Sequence, residues 1–216
     1  MSEQPAGPAH VGPAAPSTGR VFLVRHGETE WSESGRHTGL TDVPLIDRGK
    51  AQAVALGPML AEFLGERPPA LVLTSPLQRA RVTAELAGLD AETEPDLHEV
   101  DYGEYEGLTT PEIRRRVPGW TVWSGELPGG ETLDQVAARV DRVLARISPA
   151  LGRGDVVLVA HGHVLRILAA RWLRQPPQAG RLFALSTATV SVLGHEHEYP
   201  VIRHWNLPNP IERSSK

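Results

Sequence analysis

Three short runs of uninterrupted apolar residues punctuate the chain: Val21-Phe22-Leu23-Val24, Leu71–Thr74 and Val156–Ala160. Each is too short for a helix and apolar on both faces, the pattern of a strand buried within a sheet. Between and after them, apolar positions recur at helical spacing. Lys50–Phe63 is one such stretch, with Asp47 as its expected N-cap. Leu77–Leu86 follows Ser75-Pro76, read as a capping serine and a proline at the first helical position. Leu133–Ile147 follows the cap Thr132, and Val164–Leu173 follows the third strand. Thr110-Pro111 starts a short helix ending near Arg116. Glu92–Val100 reads as a short strand running into an acidic loop. Leu182–Leu185, Thr189–Gly194 and Val201–Trp205 read as late strands, some at a sheet edge. Strand and helix alternate, which predicts an α/β fold: a three-layer sandwich with a mostly parallel central sheet covered by helices on both faces. Ligands in such sheets bind beyond the carboxyl ends of the strands. The residues just after the apolar strands should therefore meet: Arg25-His26-Gly27, Ser75 to Arg79, and His161-Gly162-His163.

Composition narrows the picture. The 216 residues, 40% hydrophobic, suit one domain, expected over 19–207 with a lid segment at 100–131. Residues 1–18 are rich in Pro, Ala and Gly and read as a disordered tail; 208–216 read as a C-terminal tail. A net charge of −4 argues against a nucleic-acid partner, so any anion site must be a local basic pocket. The chain has no cysteine, which excludes disulfides, thiolate metal sites and cysteine nucleophiles. No apolar run approaches the ~20 residues of a membrane span. The expected location is the cytoplasm, with no membrane partner, and a homo-oligomer is left open.

The strand-end residues suggest phosphate chemistry. Arg25 and Arg79 offer planar donor forks matched to phosphoryl oxygens. His26 can be a nucleophile toward phosphorus if the Gly27 turn ties one ring nitrogen to the backbone and bares the other. His161 is the expected donor to a phosphoryl oxygen, and the helix opening after Gly162 adds backbone N–H groups. Glu99, in a segment with Asp101, Glu104 and Glu106, is the expected general acid and then general base, its acidity set by crowding among these carboxylates. His163 either contacts substrate or bonds within the pocket wall. His37 and Tyr102 either line the substrate side or simply pack. His195-Glu196-His197 reads as a solvated edge rather than a metal site, and Arg114–Arg116 as a solvated helix face.

Five blocks in order, namely Arg25-His26-Gly27-Glu28-Thr29, Ser75 to Ala80, Glu99 with Tyr102-Gly103 and Glu106-Gly107, Gly129 to Thr132, and His161-Gly162-His163, resemble the histidine phosphatase superfamily, the phosphoglycerate mutase-like proteins. The resemblance implies a phosphohistidine at His26, a phosphate pocket completed by Arg25, Arg79 and His161, Glu99 as proton donor, and no metal or other cofactor. It also implies phosphate contacts at Thr38 and Ser32, the latter standing where many members have asparagine. Thr29 to Ser32, Thr38-Gly39-Leu40-Thr41-Asp42 and His161 to Arg166 resemble the sedoheptulose-1,7-bisphosphatase and acid phosphatase-like branch, which brings Gly39 into the expected substrate-binding set. Mutases carry an Arg-Arg pair after a tryptophan where this chain has Trp123-Ser124-Gly125, and a lysine where it has Thr110. The expectation is a metal-independent phosphatase of small phosphorylated metabolites such as phosphosugars. The alternatives are a phosphoglycerate mutase, and a protein that dephosphorylates or binds phosphorylated partners.

Overall fold

The computed structural model describes residues 19–213, so the tail expected over residues 1–18 lies outside it. The three apolar runs are strands β1 (Val21–Arg25), β2 (Leu71–Thr74) and β4 (Val156–Ala160). With β3 (Glu92–Thr93), β5 (Val190–Glu196) and β6 (Tyr199–Leu207) they form one six-stranded sheet in the order β3-β2-β4-β1-β5-β6. The first four strands in this order pair in parallel; β5 runs antiparallel to β1, and β6 antiparallel to β5. The sheet is therefore mixed, because β5 and β6 join through a tight turn rather than a helical crossover.

Strand alternation sends side chains to two cores. Val21 and Leu23 of β1 and Leu158 of β4 face a core shared with α5 (Leu133–Leu151) and α6 (Gly162–Trp172). Phe22, Val24, Val157 and Val159 face the other core, with α2 (Asp47–Leu64) and α3 (Gln78–Leu86). Residues from the expected lid, Tyr102, Tyr105, Ile113, Trp120 and Val122, are buried in the first of these cores. The short helices α1 (Glu30–Glu33) and α4 (Thr110–Arg116) open on complete capping boxes, Thr29/Ser32 and Thr109/Glu112, and Thr132/Gln135 caps α5 in the same way.

Several boundaries differ from the sequence expectation. Asp47 is the first helical residue of α2, not its cap; Ile46 holds the cap position. Ser75-Pro76 does not open α3, which begins at Gln78 with Leu77 in the cap position; the Ser75 hydroxyl accepts from Leu77 N–H at 3.3 Å and also meets His161 Nε2. Glu92–Val100 is not one strand: pairing ends at Thr93 and a 3₁₀ turn follows over Pro95–Leu97. Leu182–Leu185 is not a strand; Pro177–Leu182 forms a 3₁₀ turn and an irregular segment follows. Within the expected C-terminal tail, Pro210–Arg213 is a helical turn, α7, and the buried Asn209 amide donates to the carbonyls of Gln52 and Ala188. No helix among the described residues is long and apolar enough to cross a membrane.

Candidate active site

Register brings the motifs together. β1 and β4 are level at their carboxyl ends, with Arg25 opposite Ala160, so the next residues, His26 and His161, are neighbours. His26 N–H continues the ladder by donating to Ala160 O at 2.9 Å. On the other side of β4, Ser75 N–H donates to Val159 O at 3.0 Å. The imidazoles of His26 and His161 lie 5.1 Å apart, centroid to centroid.

His26 is buried, with Nδ1 2.7 Å from Gly27 O. A carbonyl only accepts, so Nδ1 carries the proton and Nε2 is left with a bare lone pair. The turn that achieves this is crowded. A Cβ on Gly27 would overlap Gly49 O, and one on Gly49 would overlap Glu28 O, so the loop after β1 packs directly on the start of α2. Gly27 N–H also donates to Thr83 Oγ1 of α3 at 3.0 Å. Burial, then the charges of Arg79 and Arg25, push the His26 pKa well below the usual imidazole value, so the ring is neutral.

Arg79 is fully buried at the start of α3. Its Nε donates to His161 Nδ1 at 3.0 Å, and its terminal nitrogens donate to the carbonyls of Thr41, Thr38 and Gly39. The donor is unambiguous, so His161 Nδ1 accepts, and Nε2–H donates to Ser75 Oγ at 2.7 Å. His161 thus has no N–H turned toward an anion in this geometry, contrary to the expectation for its proton. Burial and the Arg79 charge keep it neutral too. Arg25 is engaged at one end only, Nη1 donating to Leu185 O at 2.6 Å. Its Nε is buried with no hydrogen-bond partner, and Gly162 lies beside the guanidinium.

The Glu99 carboxylate sits on the start of α6. Oε1 accepts from Val100 and Val164 N–H and Oε2 from His163 N–H, each at 2.9 Å. The expected crowding of carboxylates is absent. Asp101 accepts from Gly103 N–H, Glu106 from the N–H groups of Gly39 and Thr41, and Glu104 is exposed. Glu99 is placed by backbone donors, not by like charges. His163 belongs to both readings at once: it lines the pocket, and its Nδ1 is 2.6 Å from Tyr102 Oη. Burial, then the charge of Arg166, pushes its pKa well down.

These groups surround a pocket of about 90 Å³. Arg25, His26, Ser32, Thr38, Glu99, Tyr102, Gly162 and His163 line it; Arg79 and His161 stand beside His26 but are closed off from the opening. Gly39 does not line it. Its N–H is taken by Glu106 and its carbonyl by Arg79, so it supports the wall instead of meeting substrate. The Ser32 hydroxyl also serves the α1 cap, accepting from Thr29 N–H. Two arginines not singled out from the sequence line the mouth, Arg36 and Arg166. Arg166 stacks 4.5 Å over Trp123 and donates to Gly180 O. Its spacing of three from His163 on one helix was the available signal. Arg114 to Arg116 are exposed and not in the lining.

Residues 21–208 match the family described as histidine phosphatase superfamily (branch 1). An acid phosphatase of Mycobacterium tuberculosis is 45% identical over 196 residues, covering 89% of this chain and 96% of that protein. The sedoheptulose 1,7-bisphosphatase of Saccharomyces cerevisiae is 38% identical over 183 residues, covering 72% of this chain and 68% of the yeast protein. The solved structure of the product of open reading frame Rv3214 of Mycobacterium tuberculosis superposes with a TM-score of 0.85 at 41% identity, over 89% of this chain and 99% of that one.

Proposed function

The chain belongs to the histidine phosphatase superfamily, and from that premise we propose that it is a metal-independent phosphatase of small phosphorylated metabolites, phosphosugars foremost, acting in the cytoplasm. One observation carries the reading: one pocket is lined both by His26, whose Nδ1 bond to Gly27 leaves Nε2 bare, and by Arg25, whose buried Nε–H has no partner.

In the first step Nε2 attacks phosphorus, the ester P–O bond breaks, and the departing alkoxide takes a proton from Glu99. The second step reverses the proton flow. Glu99 takes a proton from water as its oxygen attacks the phosphohistidine, and inorganic phosphate leaves with His26 restored. The unpartnered donor of Arg25 receives a phosphoryl oxygen. Ser75 Oγ can donate as well as accept, so His161 can shift its proton to Nδ1 when Arg79 turns from it toward the anion.

Arg36 and Arg166 in the pocket lining favour substrates with a second anionic group. A mutase is the weaker reading: the Arg-Arg grip is missing, and Thr110, where mutases have lysine, hydrogen-bonds His37 at 3.2 Å. The narrow pocket also suits a small ester better than a folded phosphoprotein.

The deciding assay measures phosphate release across a panel of phosphate esters with a chelator present. Sugar phosphates that carry a second anionic group should lead the panel, and His26→Ala should remove turnover by at least ~10³-fold. Chelator-resistant turnover by that variant, or isomerisation of 3-phosphoglycerate outpacing phosphate release, would overturn the assignment.

A further inference from the structure

Arg139, in the middle of α5, is 3% exposed, and its guanidinium is saturated by a single stretch of chain and one carboxylate. Nη1 donates to the carbonyls of Asp96 and His98, both at 2.7 Å, and Nη2 donates to the carbonyl of Glu99 at 3.1 Å. Nε and Nη2 form a two-pronged bridge to Glu131 at 2.9 and 3.0 Å. Glu131 then accepts from Asp101 N–H at 3.1 Å. The backbone is thus gripped on both sides of Glu99, by its carbonyls before and by an amide after.

An ion pair as buried as this one gives the fold little that a well-packed apolar pair would not. What it does supply is a fixed path for a segment with no strand to fix it, since β3 ends at Thr93. We infer that Arg139 and Glu131 are positioning residues for the proton donor. They hold the Glu99 backbone so that its carboxylate reaches the α6 amides with one oxygen edge left for the leaving group. Neither lines the pocket. Glu131 is also the last residue of the 100–131 segment, so the pair ties that segment to Glu99. The inference rests on the phosphatase reading and adds a cause for where its acid stands.

The consequence is selective. Protonation needs Glu99 within hydrogen-bond reach of the ester oxygen, whereas grip on the phosphoryl group does not depend on this loop. An alkyl phosphate needs the proton; p-nitrophenyl phosphate, with an acidic leaving group, needs it little.

The test compares kcat/KM, which covers only the steps up to release of the alcohol and so excludes the water step that both esters share, on glycerol phosphate and p-nitrophenyl phosphate for the parent enzyme, Arg139→Gln, Glu131→Gln and, as reference, Glu99→Gln. Each variant should lose on the order of 10²-fold on the alkyl ester and less than about 10-fold on the aryl ester. Inhibition of Arg139→Gln and Glu131→Gln by inorganic phosphate should be unchanged. Equal losses on both esters, or no loss on either, would overturn the inference. If Arg139→Gln does not fold, Glu131→Gln decides by the same comparison. A Glu99→Gln variant without leaving-group dependence removes the proton-donor assignment and this inference together. A parent enzyme that hydrolyses neither of these esters nor any ester of the wider panel removes the phosphatase reading itself.

Discussion

His26 and His161 sit side by side, and their partners impose opposite tautomers. A carbonyl at Gly27 demands a proton on Nδ1 of His26, while the guanidinium Nε–H of Arg79 demands a lone pair on Nδ1 of His161. In the anion-free protein, ¹⁵N-edited NMR should report Nδ1–H for His26 and Nε2–H for His161. The same tautomer at both would show that one of these contacts is wrong. His26 was legible as the candidate nucleophile from its place at a strand end before Gly27 together with the ordered blocks around it. The His161 arrangement was not, because it depends on a guanidinium reaching across from another strand's helix.

At the level of elements, the His26 loop is held by helices on one side of the sheet. Thr83 in α3 accepts from Gly27 N–H and donates to Arg79 O at 2.6 Å, joining the two motifs through one hydroxyl. Thr83→Val keeps the shape but leaves a buried N–H unpaired, which should cost ~1–3 kcal/mol by urea unfolding. Turnover should fall as well, because the Gly27 turn fixes His26. A destabilised variant with unaltered kcat would separate the hydroxyl from positioning the nucleophile. Helices were readable from apolar spacing, and their ends less so. Ser75 looked like the cap of α3; its hydroxyl accepts from Leu77 N–H just ahead of the helix and also partners His161, a contact across the sheet that local spacing does not show.

For the whole molecule, four histidines gather around one pocket, and burial lowers the pKa of each: His26, His161 and His163 strongly, His37 to about 4. In the unfolded chain they would protonate near ~6.5. Folded pKa values below the unfolded one mean that the native state binds fewer protons under acid conditions. The stability they leave intact above ~6.5 is therefore lost as pH falls through that value toward the folded ones, at up to ~1.4 kcal/mol per pH unit for each histidine. Melting temperature should drop from pH 7 to pH 5, and inorganic phosphate, which binds the folded state, should recover part of it. A melting temperature that rises over this range would contradict the buried, neutral state of these rings.

By itself the chain determined the layered α/β fold and most of the residues that gather at the candidate site. Apolar runs and helical spacing are local patterns, and the strand-end rule then points to Arg25, His26, Ser75, Arg79 and His161. Tertiary structure decided what those residues face. It turned Gly39 into a wall, added Arg36 and Arg166 to the mouth, and put Glu99 on backbone amides instead of among carboxylates. These outcomes depend on hydrogen-bond partners from segments distant in sequence, such as the 64 positions from Glu99 to His163, and no local pattern encodes such a pairing.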